Sequence, residues 1–151
     1  MRIRSAAAQD LTGVVALTEM AYAPYTELLG APPLPVTEDY APRLAAGQVW
    51  LAEDEAGLAG LIVLERDHDH VLIFSVAVAP DRQGQGIGRR LLAFAEEQAQ
   101  AWACRSVRLY TNARMERNIA LYAACGYRET GRRPNPRRPG WTLVDMEKAL
   151  A

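Results

Sequence analysis

Three glycines in five residues, Gly84, Gly86 and Gly88, mark the part of this chain best suited to chemistry. They stand in the run Val76-Ala77-Val78-Ala79-Pro80-Asp81-Arg82-Gln83-Gly84-Gln85-Gly86-Ile87-Gly88-Arg89-Arg90, which joins an apolar strand to an amphipathic helix without a gap. Glycine lets the backbone curl tightly and come close to a ligand that side chains would block. The N–H groups opening the following helix have no intrahelical partners and lie at the positive end of its dipole. Such a turn is a cradle for a phosphate or pyrophosphate. Arg89 and Arg90 either add charge to it or serve as solvated helix residues. Spacing excludes two common nucleotide motifs. A P-loop needs a lysine followed by Ser or Thr, and none follows. A dinucleotide fingerprint counted from Gly84 places its third glycine where Arg89 stands, and the acidic residue expected about 20 positions further on is missing.

Other residues capable of chemistry are sparse. Asp67-His68-Asp69-His70 tempts a metal reading. Its place in a turn, with no distant Cys/His set to complete a zinc site, favours solvated polar residues. Cys104 and Cys125 fall in apparent helical segments without CxxC spacing, and read as buried thiols of a reducing cytoplasm. No Ser-His-Asp or Cys-His arrangement points to a covalent intermediate.

The elements that must position the glycine run follow from periodicity. Residues 1–5 read as a first strand. A helix opens at Asp10, or at the competing cap Thr12, and carries Val14, Val15, Leu17 and Met20; Pro24 is expected to end or kink it. The proline-rich segment 29–35 reads as a loop. Thr37-Glu38-Asp39 looks like the cap and first turn of a short helix ending at Gly47. Segments 49–52 and 58–64 read as strands around a turn at 53–57. Val71 to Val78 is nearly continuous in apolar residues, the pattern of a strand buried on both faces. Beyond the glycines, Ile87, Leu91, Leu92, Ala95, Ala99 and Trp102 share one helix face. A strand at 107–111 precedes a helix at 116–125 closed by Gly126. Two strands, 127–132 and 141–146, flank a loop rich in proline and arginine.

With 151 residues, half of them hydrophobic, the chain reads as one domain with a real core. A net charge of −1 gives no global field to recruit nucleic acid or an anionic membrane. The start lacks the apolar core of a signal peptide, and no apolar run approaches the roughly 20 residues that span a bilayer. A cytoplasmic location is expected.

Gln83, Gly86 and Gly88, preceded by the Val76-x-Val78 strand end, resemble the acetyl-CoA-binding motif of the GNAT superfamily of N-acetyltransferases. The order β-α-α-β-β-β-α-β-α-β-β is similar to that family's fold across essentially the whole chain. The resemblance implies a single α/β domain (α+β type) over residues 1–151. Its expected core is a mixed, mostly antiparallel sheet of about seven strands, with a V-shaped splay between strands 4 and 5 and four flanking helices. It also implies a bulge in the strand before the glycine turn. Main-chain groups of Val76, Ala77 and Val78 would pair with the pantetheine amides of acetyl-CoA as with an added strand. Gln83, Gly84, Gln85, Gly86, Ile87, Gly88 and Arg89 would hold the pyrophosphate, with no metal required. Asn118-Ile119-Ala120-Leu121-Tyr122-Ala123-Ala124-Cys125-Gly126-Tyr127 resembles the second signature of the family. There Tyr122 matches a tyrosine near the cofactor sulfur, suited to protonate the departing thiolate as a general acid. Many members carry an asparagine where this chain has Met115. Asn118, or else Asn112, is the replacement pantetheine contact.

The implied reaction is direct attack of an amine on the acetyl carbonyl, polarised by a backbone N–H of Val76 or Val78. Glu65 is the candidate base, with relay through water as the alternative; His68 and His70 are the other titratable groups nearby in sequence. Tyr22, Tyr25, Glu27, Tyr40 and the arginines from Arg132 to Arg138 belong to segments that shape the acceptor groove in such proteins. The expected partner is a small-molecule or protein amine, with no nucleic acid and no membrane; a homodimer stays open. A non-catalytic acyl-CoA-binding module is the competing function, and nucleic-acid binding through the arginine loop a more distant one.

Overall fold

Alternation of apolar and polar residues sets seven strands, and the computed structural model, which describes residues 1–150, joins them in one sheet. They are β1 (Arg2–Ser5), β2 (Val49–Asp54), β3 (Gly57–Arg66), β4 (His70–Val78), β5 (Ser106–Asn112), β6 (Arg128–Pro134) and β7 (Thr142–Ala149). Their order is β1-β2-β3-β4-β5-β7-β6. The sheet is mostly antiparallel, with β4 and β5 parallel. The β4–β5 ladder pairs His70–Ile73 with Ser106–Leu109, and β4 runs on beyond it through Phe74–Val78. The α/β class and mixed sheet expected from the sequence are present.

Among the described residues five α-helices accompany the sheet rather than four: α1 (Leu11–Leu29), α2 (Leu34–Thr37), α3 (Ala41–Ala45), α4 (Ile87–Ala101) and α5 (Glu116–Ala124). The additional one, α2, is a single turn that begins in the proline-rich segment and ends at Thr37. Proline at its start costs nothing there, because the missing N–H would have no helical partner. Thr37 closes this turn instead of capping the next helix. The N-cap of α3 is Tyr40; Asp39, one residue earlier, accepts the Ala41 N–H on Oδ1 at 3.1 Å, and Pro42 in the first turn fixes where α3 begins.

Pro24 does not end α1, which continues to Gly30 (φ +79°). An internal proline costs about 3 kcal/mol. Burial of Val14, Leu17, Tyr22 and Leu29 along one face offsets this, since each large apolar side chain contributes about 1.5–3 kcal/mol when fully buried. β4 also differs from expectation. Val71, Ile73, Ser75 and Ala77 are buried, while Leu72, Phe74, Val76 and Val78 are only half-buried. The strand buried on both faces is β3, from Ala59 to Leu64.

The chain divides into two compact units. The first takes Met1–Leu64 and Phe74–Leu91, the second Glu65–Ile73 and the chain from Leu92 onward. Val14, Val49, Leu61, Val63 and Leu91 are among the fully buried residues of the first, and Leu92, Val107 and Val144 of the second. Within the second unit, α4 and α5 end alike. In α5 the Gly126 N–H reaches Ala123 O and the Tyr127 N–H reaches Tyr122 O. In α4 the Ala103 N–H reaches Gln100 O and the Cys104 N–H reaches Ala99 O. Both are Schellman stops, which need a left-handed residue. Gly126 (φ +96°) supplies one without strain, whereas α4 uses Ala103 (φ +58°). Cys104 and Cys125 therefore lie just past their helices rather than inside them, and they form no disulfide.

Left-handed alanine costs roughly 1–2 kcal/mol, more than glycine loses in the unfolded chain. Ala103→Gly is expected to raise the melting temperature by about 2–4 °C. A lowered melting temperature in calorimetry would contradict the Schellman assignment.

Candidate functional site

The glycine turn lies wholly in the first unit, and each step of its path has a local cause. The Ala79 N–H bonds to Ala59 O at 2.8 Å, closing β4 against β3. Pro80–Arg82 make one 3-10 turn, with the Arg82 N–H on Ala79 O at 2.9 Å. Gly84 and Gly86 both adopt φ +80°. A Cβ at either would meet nothing within 4 Å, so backbone conformation and not space demands glycine there. At the head of α4 the Arg90 N–H bonds to Gly86 O at 3.0 Å. Helix geometry offers no acceptor to the amides of Ile87 and Gly88 ahead of it. Gln83 to Gly86 are exposed, while Ile87 and Leu91 are buried and pin the helix start.

Two anchors of this turn escape sequence reasoning. Arg82 donates through both terminal nitrogens to the Asp54 carboxylate at the tip of β2, and Asp54 Oδ1 also accepts the Ala56 N–H at 2.9 Å. The Arg82 Nε lies 3.3 Å from Gln85 Oε1. Arg82 thus ties the turn to the β2–β3 hairpin, and the Gln85 side chain is drawn into that tie. The second anchor is Gly60. A Cβ there would sit 2.9 Å from Ala77 O and 3.1 Å from Ile87 Cγ2 and Leu91 Cδ1. Neither shows in sequence, because the partners are separated by 17 residues or more and no local pattern links them.

Val76, Ala77 and Val78 form the end of β4. From the hairpin bond of Asp67 N–H to His70 O, β3 runs from 67 back to 59 while β4 runs from 70 on to 79, before Ala79 meets Ala59. β4 thus holds one more residue than β3 over this span, as a β-bulge requires. Near it, Tyr22 of α1 places its hydroxyl 3.2 Å from Ser75 Oγ and donates to Val76 O at 3.3 Å. Burial pushes the Tyr22 phenol above its ordinary range, so it stays protonated as a donor. Tyr40, another groove candidate, is buried and donates to Pro35 O, which braces the α2 turn.

In the second unit, Tyr122 is buried on α5 and packs edge-on against Tyr127, with ring centroids 6.2 Å apart. These are the positions whose apolar contact accompanies a Schellman stop. The Tyr-x-x-x-Gly-Tyr signature is therefore also a helix-ending device. The Tyr127 hydroxyl is buried without a hydrogen-bond partner, and burial pushes its pKa well up. Met115 is buried at the head of α5, its sulfur 3.7 Å from Thr111 Oγ1. Asn112 is buried and uses Oδ1 to accept the Arg114 N–H at 2.9 Å, whereas Asn118 is half-buried on the helix.

Glu65 is half-buried near the end of β3. His68 is exposed, and His70 belongs to β4 rather than to the turn. Its Nδ1 lies 2.9 Å from Asp69 Oδ1 and its Nε2 3.6 Å from Asp67 Oδ2. This hairpin clasp accounts for the alternating His/Asp pattern. Three arginines of β6 and its loop are likewise engaged. Arg132 binds Glu129, Arg133 binds Asp145 and lies over the Tyr110 ring, and Arg138 lies over Trp141.

An apolar strand, an extra residue near its end, a left-handed glycine turn and a helix start thus follow one another on a mixed sheet. The sequence pattern of the acetyltransferase (GNAT) family matches residues 14–127, which contain both signatures, and the chain belongs to that family. The probable N-acetyltransferase 14 of Xenopus tropicalis is 32% identical over 87 residues, covering 56% of this chain and 42% of that protein. The match thus spans about two-fifths of that relative's length. The Escherichia coli ribosomal-protein-S18-alanine N-acetyltransferase superposes with a TM-score of 0.76 at 22% identity, over 99% of this chain and 94% of that one. The PaiA N-acetyltransferase of Thermoplasma acidophilum, solved in complex with coenzyme A, gives 0.79 at 17% identity over 99% and 98%. These structures share the fold. No helix among the described residues is long and apolar enough to cross a membrane.

The Arg82 guanidinium holds the Asp54 carboxyl below the usual carboxylate range. A depressed folded pKa contributes stability above the unfolded value of about 3.9, and the contribution is lost as pH falls through the folded value. Asp54→Asn should therefore lower the urea midpoint at neutral pH, with the gap to the parent protein closing in the acid range. A gap that persists in acid would show that the pair is not its source.

Proposed function

We propose that this protein transfers the acetyl group of acetyl-CoA directly to a primary amine of a small molecule or a protein. The observation that carries the reading is the exposed glycine turn, with left-handed Gly84 and Gly86 leading into the buried start of α4. Backbone amides there suit a pyrophosphate, and the charge of a helix N-terminus favours it. Gln83, Gly84, Gln85, Gly86, Ile87, Gly88 and Arg89 would form the cradle. Val76, Ala77 and Val78, on the stretch of β4 beyond its ladder with β5, would offer main-chain groups to the pantetheine amides. Asn118, or else Asn112, whose Oδ1 accepts the Arg114 N–H, would be a further contact.

The Val76 or Val78 N–H would hold the acetyl oxygen as negative charge builds on it. The amine nitrogen forms the new bond to the acetyl carbon as the carbon–sulfur bond breaks. Tyr122 would give its proton to the sulfur, and Glu65, directly or through water, would take the proton released by the amine. The products are an amide and the free thiol. The reading treats residues 1–151 as one acetyltransferase domain without a metal. It places the protein in the cytoplasm, where thiols stay reduced.

Thiol release from acetyl-CoA across a broad amine panel tests this. Turnover with at least one amine is expected, and Tyr122→Phe should cut kcat by about 10²-fold or more while leaving acetyl-CoA affinity nearly intact. Coenzyme A binding without turnover on any amine would favour the acyl-CoA-binding module instead. Unchanged kcat in Tyr122→Phe would remove the acid role.

A further inference from the structure

The Val76 main chain lies past the β4–β5 ladder and within the span that holds the extra residue. Side-chain contacts add to its direction there, and Tyr22 meets groups on either side of the Val76 N–H. Tyr22 Oη lies 3.2 Å from Ser75 Oγ, on the residue before Val76, and 3.3 Å from the Val76 carbonyl oxygen. A phenol has a single proton to give. With Tyr22 donating to Val76 O, the Ser75 hydroxyl donates to Tyr22, and the three groups form one chain. Tyr22 is 6% exposed and Ser75 3%, so the chain is buried, where a lost partner is costly. Peptide units are planar. Holding the Ser75 side chain on one side and the Val76 carbonyl on the other limits how the intervening Val76 N–H can turn.

We propose that Tyr22 is a positioning residue that, through Ser75 and the Val76 carbonyl, aims the Val76 N–H at the acetyl oxygen. The inference rests on the acetyltransferase reading and assigns the polarising donor to Val76 rather than Val78. It also moves Tyr22 from lining an acceptor groove to organising the main chain of β4.

The test is Tyr22→Phe, which keeps the ring and removes the hydroxyl, together with Ser75→Ala and the double variant. Acetyl transfer to an amine accepted by the parent protein gives kcat and the KM for acetyl-CoA, and calorimetry gives coenzyme A affinity. Complete loss of an oxyanion donor costs about 10²–10³-fold in kcat, so misaiming one should cost about tenfold or more. KM and coenzyme A affinity should change little, and the double variant should be no worse than Tyr22→Phe, because the hydroxyls act as one chain. Ser75→Thr, which restores a hydroxyl, should recover kcat relative to Ser75→Ala. Parental kcat in Tyr22→Phe overturns the proposal, as does a fall in kcat matched by equal loss of coenzyme A affinity, the mark of general loosening. A parent protein that turns over no amine overturns the acetyltransferase reading itself. An active parent with a fully active Tyr22→Phe overturns only the role of Tyr22.

Discussion

At Gly60 the structure leaves no room for a single carbon atom. A side chain there would strike the Ala77 carbonyl at 2.9 Å and crowd both Ile87 and Leu91. That contact joins β3, the end of β4 and the first turn of α4 at one point. The Ala79–Ala59 bond, the Arg82–Asp54 pair and the buried Ile87 all lie around it. With both ends so tied, the exposed stretch from Gln83 to Gly86 has a short path to cover, and left-handed glycines cover it. The protein's own contacts thereby hold the amides before α4 in place, as the proposed pyrophosphate cradle requires.

The second unit solves a different problem with similar economy. Helix α5 must stop abruptly, and Gly126 with the Tyr122–Tyr127 contact stops it. The same contact fixes the ring of Tyr122, the proposed acid. A cost accompanies it: the Tyr127 hydroxyl is buried without a partner, where phenylalanine would leave nothing to desolvate. No partner in the structure accounts for retaining that hydroxyl.

What was legible in the sequence was local. Gly84, Gly86 and Gly126 announce left-handed turns through their own identity, and the heptad-like face from Ile87 to Ala99 announces α4. The order of strands and helices followed from such signals, and with it the family. Long-range partners were not legible. Arg82 stands just before the glycines, yet only folding brings Asp54 to it, and Tyr22 gains its meaning from Ser75, far along the chain. Local propensity is overridden at Pro24 and Ala103. Pro24 stays inside α1 because that helix buries Val14, Leu17, Tyr22 and Leu29, and Ala103 takes a conformation that its residue type disfavours. β4 looked buried on both faces because apolar residues fill it, although Leu72, Phe74, Val76 and Val78 remain half-open.

The account stands on the glycine turn as the seat of coenzyme A, and calorimetric titration of coenzyme A into the parent protein and Gly86→Ala tests it most directly. Alanine at φ +80° is strained by roughly 1–2 kcal/mol, yet space for its methyl is open, so the fold should survive while the turn reshapes. The account predicts clear binding by the parent and a loss of about tenfold or more in the variant, equivalent to about 1.4 kcal/mol. A parent that does not bind coenzyme A, or a folded Gly86→Ala that binds it equally well, would contradict it.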